Sequence, residues 1–230
     1  MGRGPHSPAI DLSEDRDRAL AIHPVSRETG RRLDCFVELL LKWQRVGNLI
    51  AASSVRHLWT RHVGDSLQLL ALAPDARTWL DLGSGAGFPG MVLACALADV
   101  AGARVHLVES NARKAAFLRE AARASGAAAS IHHGRAEELL PTWQDPVDVV
   151  TARALAPLPK LLALIAPVVK RGAKALLPKG RDIGAELTEA AKYWNIQSAI
   201  VTSRTDSQGR ILEIRALESR NERLHSRDLP

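Results

Sequence analysis

The sequence predicts an α/β protein. Its seven-stranded, mostly parallel sheet ends in an antiparallel hairpin and carries a helical cap at its N-terminus. Three observations carry this. From residue 78 onward, short apolar runs alternate with longer segments of helical periodicity. The last two strand candidates follow one another with only a turn between them. Two helical segments precede the first strand and stand outside the alternation.

Residues 1–23 mix Gly, Pro and many charges and read as a flexible lead-in. A helix over Ser26–Val46 follows from Leu33, Phe36, Val37, Leu40 and Leu41 at helical spacing, with Gly47-Asn48 as its stop. A second helix over Val55–Ala73 ends at Pro74. These two form the cap, residues 24–76. The core, residues 77–217, has strand candidates at Thr78–Leu82, Arg104–Val108, Ala128–His132, Val147–Thr151, Lys174–Leu177, Ile196–Thr202 and Arg210–Ala216. Its helix candidates are Pro89–Ala98, Ala112–Ala124, Leu158–Val169 and Ile183–Tyr193, with one short turn at Ala136–Leu139. Residues 218–230 read as a flexible tail.

Composition narrows the class. An apolar content of 46% over 230 residues excludes a disordered chain and suffices for one packed domain with an extension. The first residues lack the apolar run of a targeting segment. The most apolar stretch, Ala154–Val169, is cut by Pro157, Pro159, Lys160 and Pro167, too broken to span a bilayer. Cys35 and Cys95 are far apart and lack metal-ligand spacing, so a reducing cytoplasm is the simplest setting. His132-His133 has no third ligand at suitable spacing and reads as a solvated loop, so no metal is expected. The net charge of +6 has the right sign for a polyanion such as RNA. Three Phe, five Trp and one Tyr are few for a base-stacking platform.

The most informative segment is Trp79–Gly90, WLDLGSGAGFPG. An apolar run ends at Asp81, glycines stand at 83, 85, 87 and 90, and a helical stretch follows. Such a turn needs glycine for positive φ and for close approach of a ligand to the backbone. The helix behind it offers free N–H groups and a partial positive charge. A nucleotide-like ligand is expected here. Gly85, Gly87 and Gly90 fit G-x-G-x-x-G, the dinucleotide fingerprint. Asp81, Gly83, Gly85 and Gly87 fit the tighter D-x-G-x-G-x-G, which resembles motif I of the class I methyltransferases.

Further candidates stand at strand ends. Glu109 follows the glycine turn by about 20 residues, where an acid accepts two hydrogen bonds from a ribose diol. Ala136-Glu137 follows the third strand, where a backbone N–H and a carboxylate can read a base edge. Arg153 ends the fourth strand and can hold a ligand carboxylate or a substrate phosphate. Lys179 follows the fifth strand on the same rim. On the second cap helix Arg61 and Asp65 are i, i+4, as are His62 and Ser66, open to either a catalytic role or an exposed ion pair.

Taken together, LKWQRVGNL (41–49), RHVGDS (61–66), DLGSGAGFPG (81–90), LVES (107–110), RKAAFLR (113–119), GRAEEL (134–139), TARALAPL (151–158) and LPKG (177–180) resemble the glucose-inhibited division protein B family. That family is also called ribosomal RNA small subunit methyltransferase G, and the resemblance covers about residues 33–216. It implies the class I S-adenosylmethionine-dependent methyltransferase fold and methyl transfer to N7 of a guanine in 16S rRNA. S-adenosyl-L-methionine is then the cofactor, and 16S rRNA or the small ribosomal subunit the partner. Cofactor contacts are implied at Gly83, Gly85, Phe88, Ala136, Glu137 and Arg153, with Glu109 on the ribose. Gln44 and Ile50 depart from the Asn and Thr usual there. Asp65 is the candidate to stabilise the cationic methylated base. Arg61, Arg113, Lys114, Arg135, Arg153 and Lys179 are candidates for a phosphate-holding rim. The alternative is a methyltransferase for a small molecule or a protein; the overlapping fingerprint also leaves a dinucleotide-dependent oxidoreductase open.

Overall fold

The structure is a computed structural model that describes residues 11–220. Seven strands form one sheet: β1 (Thr78–Leu82), β2 (Arg104–Glu109), β3 (Ala129–His133), β4 (Val149–Ala152), β5 (Lys174–Lys179), β6 (Trp194–Thr202) and β7 (Arg210–Ser219). Their spatial order is β3-β2-β1-β4-β5-β7-β6. The first five strands run parallel, whereas β7 is antiparallel to both β5 and β6. The order reverses at β1, between β2 and β4, and such a reversal opens a crevice at the carboxyl ends of the strands.

Among the described residues there are eight α-helices: α1 (Ser13–Ile22), α2 (Arg27–Gln44), α3 (Asp65–Leu72), α4 (Gly90–Ala96), α5 (Ala112–Ser125), α6 (Ala136–Leu139), α7 (Leu158–Lys170) and α8 (Ile183–Ala190). Local signals fix several ends. Ser26 caps α2 through Thr29 N–H, and Asn111 caps α5 through Lys114 N–H. Gly126 closes α5 in the left-handed conformation. One buried cluster joins the cap residues Leu33, Phe36, Leu40, Val63 and Leu67 to Met91 and Phe117 of the core, so cap and core share a hydrophobic interior. The opposite face is sealed by Leu158, Leu162 and Ile165 of α7 and Ile183 of α8. No described helix is long and apolar enough to cross a membrane.

Four sequence expectations change. The lead-in assigned to residues 1–23 contains α1; residues 1–10 lie outside the described ones. Polar contacts hold α1. Arg16 makes a paired contact with Asp34 at 2.6 and 2.8 Å and lies 5.3 Å from the Trp59 ring. Buried Asp15 accepts Trp59 N–H at 2.8 Å and Thr60 N–H at 3.3 Å. Those bonds also break up the helix expected over Val55–Ala73. By supplying an acceptor for the free N–H groups of a helix start, Asp15 sets a new beginning at Trp59. The segment becomes a 3-10 turn (Ala52–His57), a π turn (Trp59–Gly64) and α3. The tail expected from residue 218 begins later, since β7 continues to Ser219; residues 221–230 lie outside the described ones. Finally, His132 is no loop residue. It lies in β3, 3.0 Å from His106 of β2, with the Trp143 ring against both imidazoles.

Helix α4 sits on the sheet without clearance. A Cβ at Gly90 would stand 2.5 Å from Asp81 Oδ2 and 2.9 Å from Leu107 Cγ. The backbone approaches closely enough for Gly90 N–H to donate to Asp81 Oδ2 at 3.2 Å. Asp81 is fully buried and its Oδ1 has no hydrogen-bond partner. Burial pushes its carboxyl up to about 7. Gly90→Ala is expected to destabilise the chain by about 1–3 kcal/mol in denaturant titration. Because the Asp81 pKa is higher folded than unfolded, the folded chain holds the extra proton between pH ~4 and ~7, and the associated stability is lost as pH rises through 7. Asp81→Asn should therefore gain stability relative to wild type, by ~2–4 kcal/mol, as pH rises from 4 to 8 in paired melts.

Candidate active site

Beyond the carboxyl ends of β1, β4 and β5 lies a cavity of about 850 Å³. The glycine turn, the chain after β4 and the chain after β5 form its core side. Residues of the cap and of the β6–β7 turn close the other side.

The turn itself is held by carboxylates. Gly83, Gly85 and Gly87 have φ of +67°, +56° and +92°, conformations that L side chains rarely adopt. Gly83 and Ser84 N–H both donate to Val108 O. Glu109 Oε2 accepts Gly85 N–H at 2.7 Å, and its Oε1 accepts Asn111 N–H at 2.7 Å. Glu109 therefore staples the turn to the end of β2, while a second lone pair on each oxygen remains available. Only Gly83 O, at 3.7 Å, lies near the place of a Cβ at Gly85, so the cradle there is open. Over Gly83 the half-exposed tip of Leu155 comes to 2.7 Å from the same place, a flexible cover.

Phe88 ends the turn and is buried between the cap and Arg153. Its ring meets Phe36 edge-on at 5.4 Å and stacks on His62 at 4.9 Å. The Arg153 guanidinium lies 5.4 Å from the Phe88 centroid. Arg153 Nη1 donates to His62 Nδ1 at 2.9 Å. His62 Nε2 is 3.0 Å from Ser54 Oγ, whose hydroxyl donates to Ala51 O at 2.8 Å. Burial, with Arg153 and Arg61 nearby, pushes the His62 imidazole down to about 3. The ring is thus neutral, and its single N–H is on Nε2, because a guanidinium has no acceptor and Nδ1 must accept. Burial also lowers the Arg153 pKa, opposed at longer range by Asp65 and Asp81. Directly after Arg153, Ala154 takes φ +54°, a left-handed conformation rare outside glycine.

Asp65 also lines the cavity, but its Oδ1 is occupied: it accepts from Gln68 Nε2 at 2.6 Å, Thr205 Oγ1 at 3.0 Å and Ser203 Oγ at 3.2 Å. The carboxylate thus ties α3 to the β6–β7 turn in place of the i, i+4 pair with Arg61, and Ser66 Oγ donates to the His62 carbonyl at 2.6 Å.

Of the residues named from sequence, the cavity gathers Arg61, His62, Asp65, Gly83, Gly85, Phe88, Lys114, Arg153 and Lys179. Lys179 is paired there with Glu186 at 2.8 Å. Glu109 reaches it only through Gly85. Ala136 and Glu137 do not line it. Ala136 is buried at the start of α6, and Glu137 is exposed in that helix's first turn. Arg113 and Arg135 are exposed outside it, with Arg113 donating to the Val46 carbonyl above Gly47. Sequence reasoning missed Ser54, Arg181, Thr205 and Arg210, all on the cavity wall. Arg181 and Thr205 follow the ends of β5 and β6, Arg210 begins β7, and Ser54 lies in the 3-10 turn of the cap. Gln44, where the sequence departs from the family, holds the next loop by accepting Leu49 and Ile50 N–H and donating to Ile50 O.

Known proteins are similar to this chain in sequence and in fold. A relative from Bradyrhizobium sp. strain BTAi1, a ribosomal RNA small subunit methyltransferase G, is 57% identical over 91% of this chain and 95% of its own length. Another of that name from Nitrobacter hamburgensis is 58% identical over 90% of this chain and 80% of its own. Among solved structures, the O-methyltransferase TomG from Streptomyces achromogenes, in complex with SAM, has a TM-score of 0.58 at 17% identity, covering 90% of this chain and 100% of that one. An O-methyltransferase from Bacillus cereus, in complex with SAH, has a TM-score of 0.56 at 14% identity, covering 86% and 96%. The fold is shared with these class I methyltransferases. The model of the family described as rRNA small subunit methyltransferase G matches residues 30–216, and to that family this chain belongs.

Proposed function

We propose that this chain transfers a methyl group from S-adenosyl-L-methionine to N7 of a guanine in 16S rRNA, as naked RNA or within the small ribosomal subunit, in the cytoplasm. The residues present fit the cofactor. The open cradle at Gly85 accepts a ligand against the backbone, and Gly83 lies under a side chain that can turn aside. Glu109 retains lone pairs for a ribose diol. Because Gly134 N–H donates to the backbone carbonyl of Glu109, the chain entering α6 runs beside the end of β2, and Ala136 and Glu137 would meet the base edge from there. Arg153 would hold the methionine carboxylate. When bound, the cofactor supplies a methyl group activated by its sulfonium.

One observation supports N7 as the acceptor: His62, the imidazole stacked on Phe88, has both ring nitrogens engaged and stays neutral. A hydroxyl acceptor needs a base, whereas guanine N7 carries a lone pair and no proton. The chain's task is then to align the acceptor and exclude water. Asp65, with a second carboxylate oxygen, would offset the positive charge on the product base. The target must be non-helical or extruded, since N7 faces a deep, narrow groove in duplex RNA. Arg61, Lys114, Lys179, Arg181 and Arg210 form a rim for its phosphates, and exposed Arg113 and Arg135 would extend the basic surface.

Purified chain incubated with radiolabelled cofactor and small subunits from cells lacking the modification should label one guanine as 7-methylguanine. Label confined to metabolites or proteins would overturn the proposal. Gly83→Asp is expected to abolish S-adenosylhomocysteine binding in calorimetry while leaving the melting cooperative, since Asp tolerates positive φ better than most residues. Arg61→Ala should weaken association with rRNA and lower the slope of log K against log salt by ~1, with cofactor affinity unchanged.

A further inference from the structure

The guanidinium of Arg153 is largely buried, yet no described carboxylate pairs with it; its hydrogen bond is to His62 Nδ1, at 2.9 Å. A buried arginine without a carboxylate is costly, and its side chain has four rotatable torsions through which to lose its aim. The two contacts of the guanidinium, with His62 and with Phe88, belong to one relay. His62 stacks on Phe88 and accepts from Arg153, while the same Phe88 ring lies beneath the guanidinium. Ser54 Oγ accepts from His62 Nε2–H, so Nδ1 presents its lone pair, and Ala51 O fixes the Ser54 hydroxyl by accepting from it. All three anchors, Ala51, Ser54 and His62, come from the cap, whereas Arg153 comes from the core. Within the relay His62 has no nitrogen left for a substrate.

We infer that His62 is a positioning residue: its Nδ1, held by Ser54, aims the Arg153 guanidinium at the carboxylate of the bound cofactor. This rests on the reading of Arg153 given above. An aimed guanidinium keeps its other N–H donors for a planar, two-oxygen partner. Without the imidazole acceptor it becomes one buried cation among many rotamers.

The test compares two ligands by calorimetry on the full chain. S-adenosylhomocysteine carries the carboxylate; 5′-methylthioadenosine keeps the adenosine and thioether and lacks the amino acid. His62→Leu should weaken S-adenosylhomocysteine binding by about 10–100-fold, the worth of a hydrogen bond to a charged group, and methylthioadenosine binding by less than about twofold. His62→Asn, which restores an acceptor near Nδ1, should recover to within about threefold of wild type. In an Arg153→Gln background, His62→Leu should cost nothing further. Ser54→Ala, which spares the stacked ring, should weaken S-adenosylhomocysteine alone by about 2–5-fold and serves if His62→Leu melts early. Equal losses for both ligands, an unchanged S-adenosylhomocysteine affinity, or a persistent cost without Arg153 would each overturn the inference. Failure of the wild type to bind either ligand would instead refute the cofactor assignment.

Discussion

Two carboxylates on adjacent strands hold the glycine turn, and the site is arranged around them. Asp81 at the end of β1 receives Gly90 N–H, and Glu109 at the end of β2 receives Gly85 N–H. The turn between them passes through three residues of positive φ, a path that only glycine takes without strain. Helix α4 can approach the sheet because Gly90 has no side chain, and that approach brings Phe88 to the cavity wall. Both carboxylates are buried, so each matters more than an exposed acid would. Burial with one unpartnered oxygen disfavours the charged form of Asp81 and pushes its carboxyl up to about 7.

The cap joins the core through apolar packing and through polar ties that differ in kind. Leu33, Phe36 and Leu40 of α2 form a common interior with α4 and α5. The polar ties fix direction. Asp15 sets where the π turn begins, and Arg113 reaches from α5 to the loop behind α2. Asp65 and Gln68 bind Ser203, Arg204 and Thr205, so the β6–β7 turn is drawn over the cavity. A π turn widens the helix by one residue, a device often found at functional sites. Here it carries Arg61 and His62.

What the sequence disclosed followed from periodicity and from glycine. The alternation gave every strand of the sheet to within a few residues, and the hairpin without an intervening helix gave the antiparallel β7. The glycine spacing put the cavity at the end of β1. Helix α1 escaped because Asp15, Arg16 and Ala19 secure it; with few apolar residues it shows no stripe to read. The break at Trp59 escaped for the same reason, since its cause lies 44 residues earlier in the chain. Ser54, Arg181, Thr205 and Arg210 come from three separate parts of the chain that only the folded structure brings to one wall. Arg153 was legible from its place at a strand end, but the imidazole that it meets was not: i, i+4 spacing suggested surface partners for a side chain that points inward.

The division of labour between cap and core explains how a widely used sheet acquires a particular substrate. Chains with under 20% identity share the fold, so strand order and a glycine turn alone cannot specify an acceptor. Within this cavity the core contributes the glycine turn, Phe88 and Arg153, which follow the ends of β1 and β4. Groups that distinguish one acceptor from another enter from outside the sheet: Ser54, Arg61, His62 and Asp65 from the cap, Thr205 and Arg210 from the terminal hairpin. Asp65 ties the cap to the terminal hairpin through Thr205, and His62 ties the cap to the core through Arg153. A change in the cap therefore alters the walls around the acceptor and the aim of a core residue together. The N-terminal segments are thus part of the site in the same sense as the strands that they cover.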